Sequence, residues 1–242
     1  MEMKTMTRQK AFTIPEMLTV VAIMAILISL LMPSISKARE NARRAICRSQ
    51  MHQIHIAQVN NAAERRGNLA PHAQWDMQTI YSTSFGASWA ATTEKSYTGT
   101  GMLWYRKYLG DAQAIWCPSV DSPNIAFNSV NGWRLKPNTT GNRRWIAQPM
   151  AQRTTVLKTN SNAYPSNSSF FADGFSYSTF YYPSDSVLST HFDGYNFIRL
   201  DGSASWYSDP AGKIAALRVI AGKTAAAFVA QEVVFRDYFD KQ

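Results

Sequence analysis

Residues 17–32 carry no charged side chain at all. Elsewhere the 242-residue chain is short of the usual equipment of an enzyme or a metalloprotein. Its two cysteines, Cys47 and Cys117, lie far apart. That excludes a disulfide-dense scaffold and a closely spaced Cys/His zinc set. No Gly-x-Ser-x-Gly elbow occurs. Gly222-Lys223-Thr224 resembles the end of a phosphate-binding loop, but the glycine required at position 217 is Leu217, so the backbone cradle is missing. His52 and His55 stand three apart on a helical stretch, enough for two ligands but not for a site, and are expected to face solvent.

Acidic residues are also scarce, 16 against 25 Lys and Arg, for a net charge of +9. The excess is not spread evenly. Residues 1–11 hold three basic and one acidic residue, and residues 33–66 hold seven and two. Residues 67–242 hold fifteen and twelve, leaving only +3 over the largest part of the chain. The basicity therefore belongs to a juxtamembrane helix face (Lys37, Arg39, Arg43, Arg44 and Arg48), suited to lipid headgroups or acidic neighbours. No nucleic-acid partner is expected.

From Phe12 the chain is apolar for 21 residues apart from Thr13, Pro15, Glu16, Thr19 and Ser29. As a helix these residues reach roughly 31 Å, the thickness of a bilayer's hydrocarbon core. A buried helix of a soluble domain keeps some polar positions, so the uncharged run is read as a membrane span. Glu16 at its edge needs an explanation, because a charge moved towards the bilayer centre costs about 2.5–3.5 kcal/mol. One explanation is local: Thr13 caps the helix, Pro15 lies in the first turn, and the Glu16 carboxylate reaches back to the Thr13 N–H. That account does not require a full charge.

The stretch RQKAFTIPEMLTVVAIMAILISLLMP resembles the class III signal peptide of type IV prepilins and pseudopilins. The resemblance implies a leader (1–11) cut between Ala11 and Phe12 by a prepilin peptidase, which also N-methylates Phe12. Ala11 departs from the family's usual glycine at that point. Glu16 becomes the fifth residue of the mature chain, and in the family it faces the methylated amine of a neighbouring subunit. Pro33 falls where the family often has a helix-loosening proline. The flank after the span is more basic than the flank before it, which by itself would keep the C-terminal part in the cytoplasm. The family instead exports that part, and long domains translocate largely regardless of flanking charge.

Beyond Pro33, Ile46/Cys47, Met51, Ile54 and Ala57 repeat at spacings of three and four, the apolar stripe of a continuing helix that Gly67-Asn68 ends. Residues 102–110 suggest a short helix, residues 82–101 and 158–169 irregular structure, and residues 169–182 aromatic strand around a turn at Asp173-Gly174. Asp193-Gly194 and Asp201-Gly202 read as two-residue hairpin turns, predicting a three-stranded meander over 187–208. His191 would then lie opposite Asn196, bonded to nearby backbone, with Asp201 roughly 17 Å away at the far end of the strand. The spacing from His191 to Asp201-Gly202 resembles the H-X9-DG signature of a pseudopilin-like subfamily, and Ala114–Ser119 resembles its Cys-Pro-Ser segment. Cys47 and Cys117 form either a disulfide between helix and domain or two buried thiols.

The expected fold is α+β: a long N-terminal helix (12–66, of which 12–32 cross the membrane) packed on an antiparallel sheet within an exported domain (67–242). The expected function is a pseudopilin of the bacterial inner membrane, assembled with other pseudopilin subunits into a periplasmic filament of a type II secretion or related pilus system. No catalytic residues and no cofactor are expected. Asp173, Asp185 and Asp193 are carboxylates to consider for Ca²⁺, without a readable ligand loop. Two other functions compete: an anchored, exported binding module using Trp75, Trp89, Trp133 or Trp145, and a tethered hydrolase centred on His191.

Overall fold

The computed structural model describes residues 13–70, 79–82, 97, 99–120, 145–147, 150–153, 164–175, 191, 193–217, 230 and 232–242. For 79–82, 145–147, 150 and 152 it describes the backbone alone. Ala11, Phe12, Asp185, the glycine-lysine pair at 222–223 and Trp75, Trp89 and Trp133 lie outside the described residues. The chain divides into two compact units, Met1–Ala42 and Arg43–Gln242, and the division falls inside the first helix, α1 (Ile14–Glu64).

In the first unit, α1 is long and apolar enough to cross a membrane, and its large side chains are exposed around the helix, Leu18 at 65%, Ile26 at 62% and Leu30 at 70%. A helix with apolar side chains outward on all sides has lipid as its natural solvent. Its hydroxyls are bonded to its own carbonyls: Thr19 to Glu16 O at 3.0 Å, Ser29 to Ile26 O at 2.7 Å and Ser34 to Leu31 O at 2.7 Å. In hydrocarbon an unbonded hydroxyl costs several kcal/mol, so these local bonds make the polar residues tolerable there. Pro33 lies within the continuous helix, where it has no N–H to donate.

The second unit is an α+β domain of pilin-like architecture. Two sheets are present among the described residues. β1 (Thr79–Ser82) pairs antiparallel with β2 (Trp145–Ala147), and β3 (Met150–Gln152), β4 (Ser169–Asp173), β5 (Gly194–Arg199) and β6 (Ala204–Ser208) form an antiparallel sheet in that order. Along β5 the side chains alternate. Ile198 joins Cys47, Met51, Ile54 and Ala57 of α1 in one core, and Tyr195 and Phe197 join Phe175, Phe235 and Phe239 in the other. Every residue of β5 is buried because the sheet is covered on both faces. The register shifts between Ser169 and Phe171, and that irregularity sends both Phe170 and Phe171 to the α1 side.

Short elements complete the packing. The helix α2 (Thr100–Tyr105) and a 3₁₀ turn (Ala112–Ile115) supply Leu103 and Ile115 to the α1-side core. α3 (Lys213–Ala216) is capped by Asp209, whose carboxylate accepts the Lys213 and Ile214 N–H groups at 2.7 and 2.8 Å. The π-helical turn Phe235–Phe239 is held by Arg153, which donates to Glu232 at 3.0 Å and to Asp240 at 2.8 Å. Burial acts to lower the Arg153 pKa, but the hydrogen bonds and charges of Glu232 and Asp240 outweigh it and raise it.

Three expectations about the domain need correction. Among the described residues the sheet has four strands, and the second neighbour of β5 is β4. Asp193-Gly194 is therefore not a hairpin turn: Gly194 opens β5 opposite Ser208, and a side chain there would meet the Trp206 ring at 2.6 Å. Residues 187–190 and 192, expected as the first strand of the meander, lie outside the described residues. The β5–β6 hairpin has a three-residue loop, since Arg199 N–H donates to Ser203 O at 3.0 Å and Gly202 takes φ +85°. A left-handed third residue fits the right-handed twist of the two strands.

Candidate functional site

Two regions bear on function, one in each unit. At the start of α1 the Thr13 N–H and hydroxyl both donate to Glu16 Oε2, at 2.8 and 2.6 Å. This is the Glu16 arm of a capping box, and it occupies one carboxylate oxygen.

Residues 6–32 match the prokaryotic N-terminal methylation motif. No curated protein and no solved structure matches the chain. The motif ends with the apolar run at Met32 and points to a type IV pilin or pseudopilin-like precursor, a structural subunit rather than an enzyme. It implies processing by prepilin peptidase and assembly with other pilin subunits. Together with the exposed apolar helix, it is consistent with a membrane-anchored, single-pass protein.

The second region lies in the domain where α1, the 3₁₀ segment and the ends of β4 and β5 meet. Cys47 of α1 and Cys117 are joined as a disulfide, with Cα atoms 5.4 Å apart. Next to the bridge, His191 Nε2 stands 3.6 Å from Cys117 Sγ and 3.3 Å from Asp173 Oδ2. The His191 and Asp173 side chains are both fully buried. The same carboxylate oxygen accepts the Asn196 backbone N–H at 2.6 Å, and Asn196 Nδ2 lies 3.5 Å from the His191 ring nitrogen. The Trp206 ring packs edge-on against His191, and the Arg44 guanidinium lies 4.2 Å above Trp206 while pairing with Asp193.

His191, expected as a polar residue bonded to nearby backbone, is buried. It is an interior group opposed to a carboxylate, because the sheet carries Asp173 to the end of β4 and leaves Asn196 facing the α1 side of β5. Asp173, expected in a turn, is a buried strand-end residue. The tethered-hydrolase reading loses its geometry here, since the imidazole–carboxylate pair is sealed from solvent and its sulfur neighbour is bonded. Of the carboxylates considered for Ca²⁺, Asp173 faces His191 and Asp193 pairs with Arg44.

Asp201 and Gly202 are elsewhere, on the loop that rests against His55. The His55 ring Nε2–H donates to Leu200 O at 2.9 Å, and a side chain at Gly202 would approach the same ring to 2.9 Å. His55 is accordingly half-buried, contrary to expectation, whereas His52 is exposed. Cys47 and His55 are eight residues apart on α1, about 12 Å, or just over two turns on one face. The His191 end and the Asp201-Gly202 end of this stretch therefore each grip α1 at a separate point.

Hydrogen bonds from the Ser203 hydroxyl and then the Ser203 N–H hold the Asp201 carboxyl below the usual aspartate range. The contribution of this turn to stability is complete above the ordinary aspartate pKa and is lost as pH falls through the lowered value. A carboxyl-carbon NMR titration should find Asp201 titrating below the usual aspartate range. Ser203→Ala should raise it.

Sequence reasoning missed Gln58 and Asn61, both buried on the α1 stripe. Gln58 Oε1 accepts the Ala70 N–H at 2.8 Å, and Asn61 Nδ2 donates to Asn68 O at 3.1 Å. Their spacing from Ile54 and Ala57 continues the stripe, and that continuity was the available signal.

Proposed function

We propose that this chain is a pseudopilin, cut between Ala11 and Phe12, methylated on Phe12 and assembled through Glu16 into a periplasmic filament of a type II secretion or related pilus system. The observation that carries the proposal is a single carboxylate, Glu16, at the head of a helix whose other side chains suit lipid, inside a methylation motif. The leader stays in the cytoplasm and residues 67–242 are exported. A Phe12 amine on a neighbouring subunit gives the Glu16 charge the partner that a cap alone does not supply. Placement in the H-X9-DG subfamily rests on the spacing from His191 to Asp201-Gly202. The work is mechanical: spans pack side by side, and the domain presents a surface.

The test is the mature N-terminus. Mass spectrometry of the protein extracted from membranes should find a chain beginning at methylated Phe12. Protein that begins only at Met1 would overturn the proposal.

A further inference from the structure

We propose that Cys47, Cys117, Asp173 and His191 form a zinc site that exists when the disulfide is reduced, so that one buried cluster has two exclusive states, a disulfide and a metal centre. All four residues are buried, and one ligand atom from each lies within 4.8 Å of the others. Two of the spacings already have the lengths a tetrahedral centre needs. With zinc bonds of about 2.0–2.2 Å to nitrogen or oxygen and about 2.3 Å to sulfur, the edge between nitrogen and oxygen is about 3.3–3.5 Å and that between sulfur and nitrogen about 3.5–3.6 Å. The observed separations are 3.3 Å for His191 Nε2 to Asp173 Oδ2 and 3.6 Å for His191 Nε2 to Cys117 Sγ.

The sulfur–sulfur edge needs about 3.8 Å, which the covalent bond forbids and two thiolates permit. The remaining edges close with side-chain shifts of about an ångström, small for groups at the ends of rotatable bonds. Two thiolates, an imidazole and a carboxylate suit Zn²⁺, whereas Ca²⁺ and Mg²⁺ require oxygen ligands throughout. A disulfide by itself has no need of a fully buried imidazole–carboxylate pair beside it, and such a pair is expensive to desolvate. The centre would carry a net charge of −1, with the Arg44 guanidinium stacked on the Trp206 ring that abuts His191.

The interconversion balances. A dithiol of the thiol–disulfide oxidoreductase class gives two electrons and two protons to the Cys47–Cys117 bond and leaves as its own disulfide. Zn²⁺ then binds both sulfurs, and the two thiol protons pass to solvent. Oxidation by a disulfide-bearing partner of the same class removes the electron pair and releases the ion. In both states α1 stays cross-linked to Cys117.

The experiment uses the full chain in detergent, metal-free, either oxidised or reduced with a phosphine under nitrogen. Zn²⁺ is titrated against a chromophoric chelator, and Co²⁺ is added to parallel samples as an optical probe. The reduced chain should take up one Zn²⁺ and show the charge-transfer and intense visible bands of a tetrahedral thiolate-bound Co²⁺, while the oxidised chain shows neither. His191→Gln and Asp173→Asn should each weaken Zn²⁺ binding to the reduced chain tenfold or more. Because those variants disturb a buried pair, the wild-type comparison also stands alone: near-UV circular dichroism of the reduced protein should sharpen on adding one equivalent of Zn²⁺. No stoichiometric uptake by reduced wild type, equal uptake by the oxidised chain, or unchanged affinity in both variants would each overturn the proposal.

Discussion

A chain carrying Glu16→Ala is expected to insert into the membrane and still fail to enter filaments. Insertion itself should not suffer, because removing a carboxylate from the edge of an apolar helix removes a desolvation cost. The local loss is the Thr13 contact, a single capping interaction at an exposed helix end. Assembly is different: breaking a buried ion pair between subunits costs about 3–5 kcal/mol per contact, roughly two to four orders of magnitude in the association constant. Glu16→Gln separates the two roles. Glutamine still reaches the Thr13 N–H as the Glu16 carboxylate does, but it cannot neutralise an amine. Shearing assays on intact cells should find neither variant in filaments while both fractionate with the membrane. A glutamine variant that assembles like wild type would leave only the cap. For an anchored binding module, both substitutions would be silent.

Cys117→Ser should destabilise the domain by about 4 kcal/mol, the loop-closure value for a bridge joining residues 70 apart. For a domain of this size that corresponds to a fall in Tm of about 10 °C. Thermal unfolding of the detergent-solubilised chain, followed by near-UV circular dichroism, measures it. The matching Cys47→Ser variant should lose the same amount, because both remove the same closed ring. A large difference between the two would mean that the loss comes from packing around one sulfur rather than from the ring. A drop under about 1 kcal/mol in both would mean that the unfolded chain is already compact around this loop.

The helix was legible because its signals are local: an uncharged run, a stripe at spacings of three and four, and a glycine stop. Gly67 ends α1 as that pattern indicates, with its N–H donating to Ala62 O at 2.8 Å. The β5–β6 hairpin was legible for the same reason, although Asp201-Gly202 suits a two-residue and a three-residue loop alike. Which strand lies on the other side of β5 is a non-local choice. Nothing near Asp193 reveals that Phe171 and Ala172 will occupy that edge. Asp173 shows the same limit from the side of chemistry. Before glycine an aspartate reads as a turn former, and only the assembled sheet brings its carboxylate to His191 and the Asn196 N–H. The disulfide belongs to this class as well, since a bridge depends on Cα separation and side-chain direction rather than on composition.

The link between Cys47 and Cys117 also sets what a pulling force can do to this molecule. Tension applied through the helix enters the domain along a covalent path and bypasses the noncovalent contacts of Met51, Ile54 and Ala57. The 70-residue separation that the bridge closes represents about 240 Å of chain that cannot be paid out under load. A subunit drawn from lipid by its helix would thus keep the loop from Cys47 to Cys117 closed, with the stretch limited to the segment that follows the bridge.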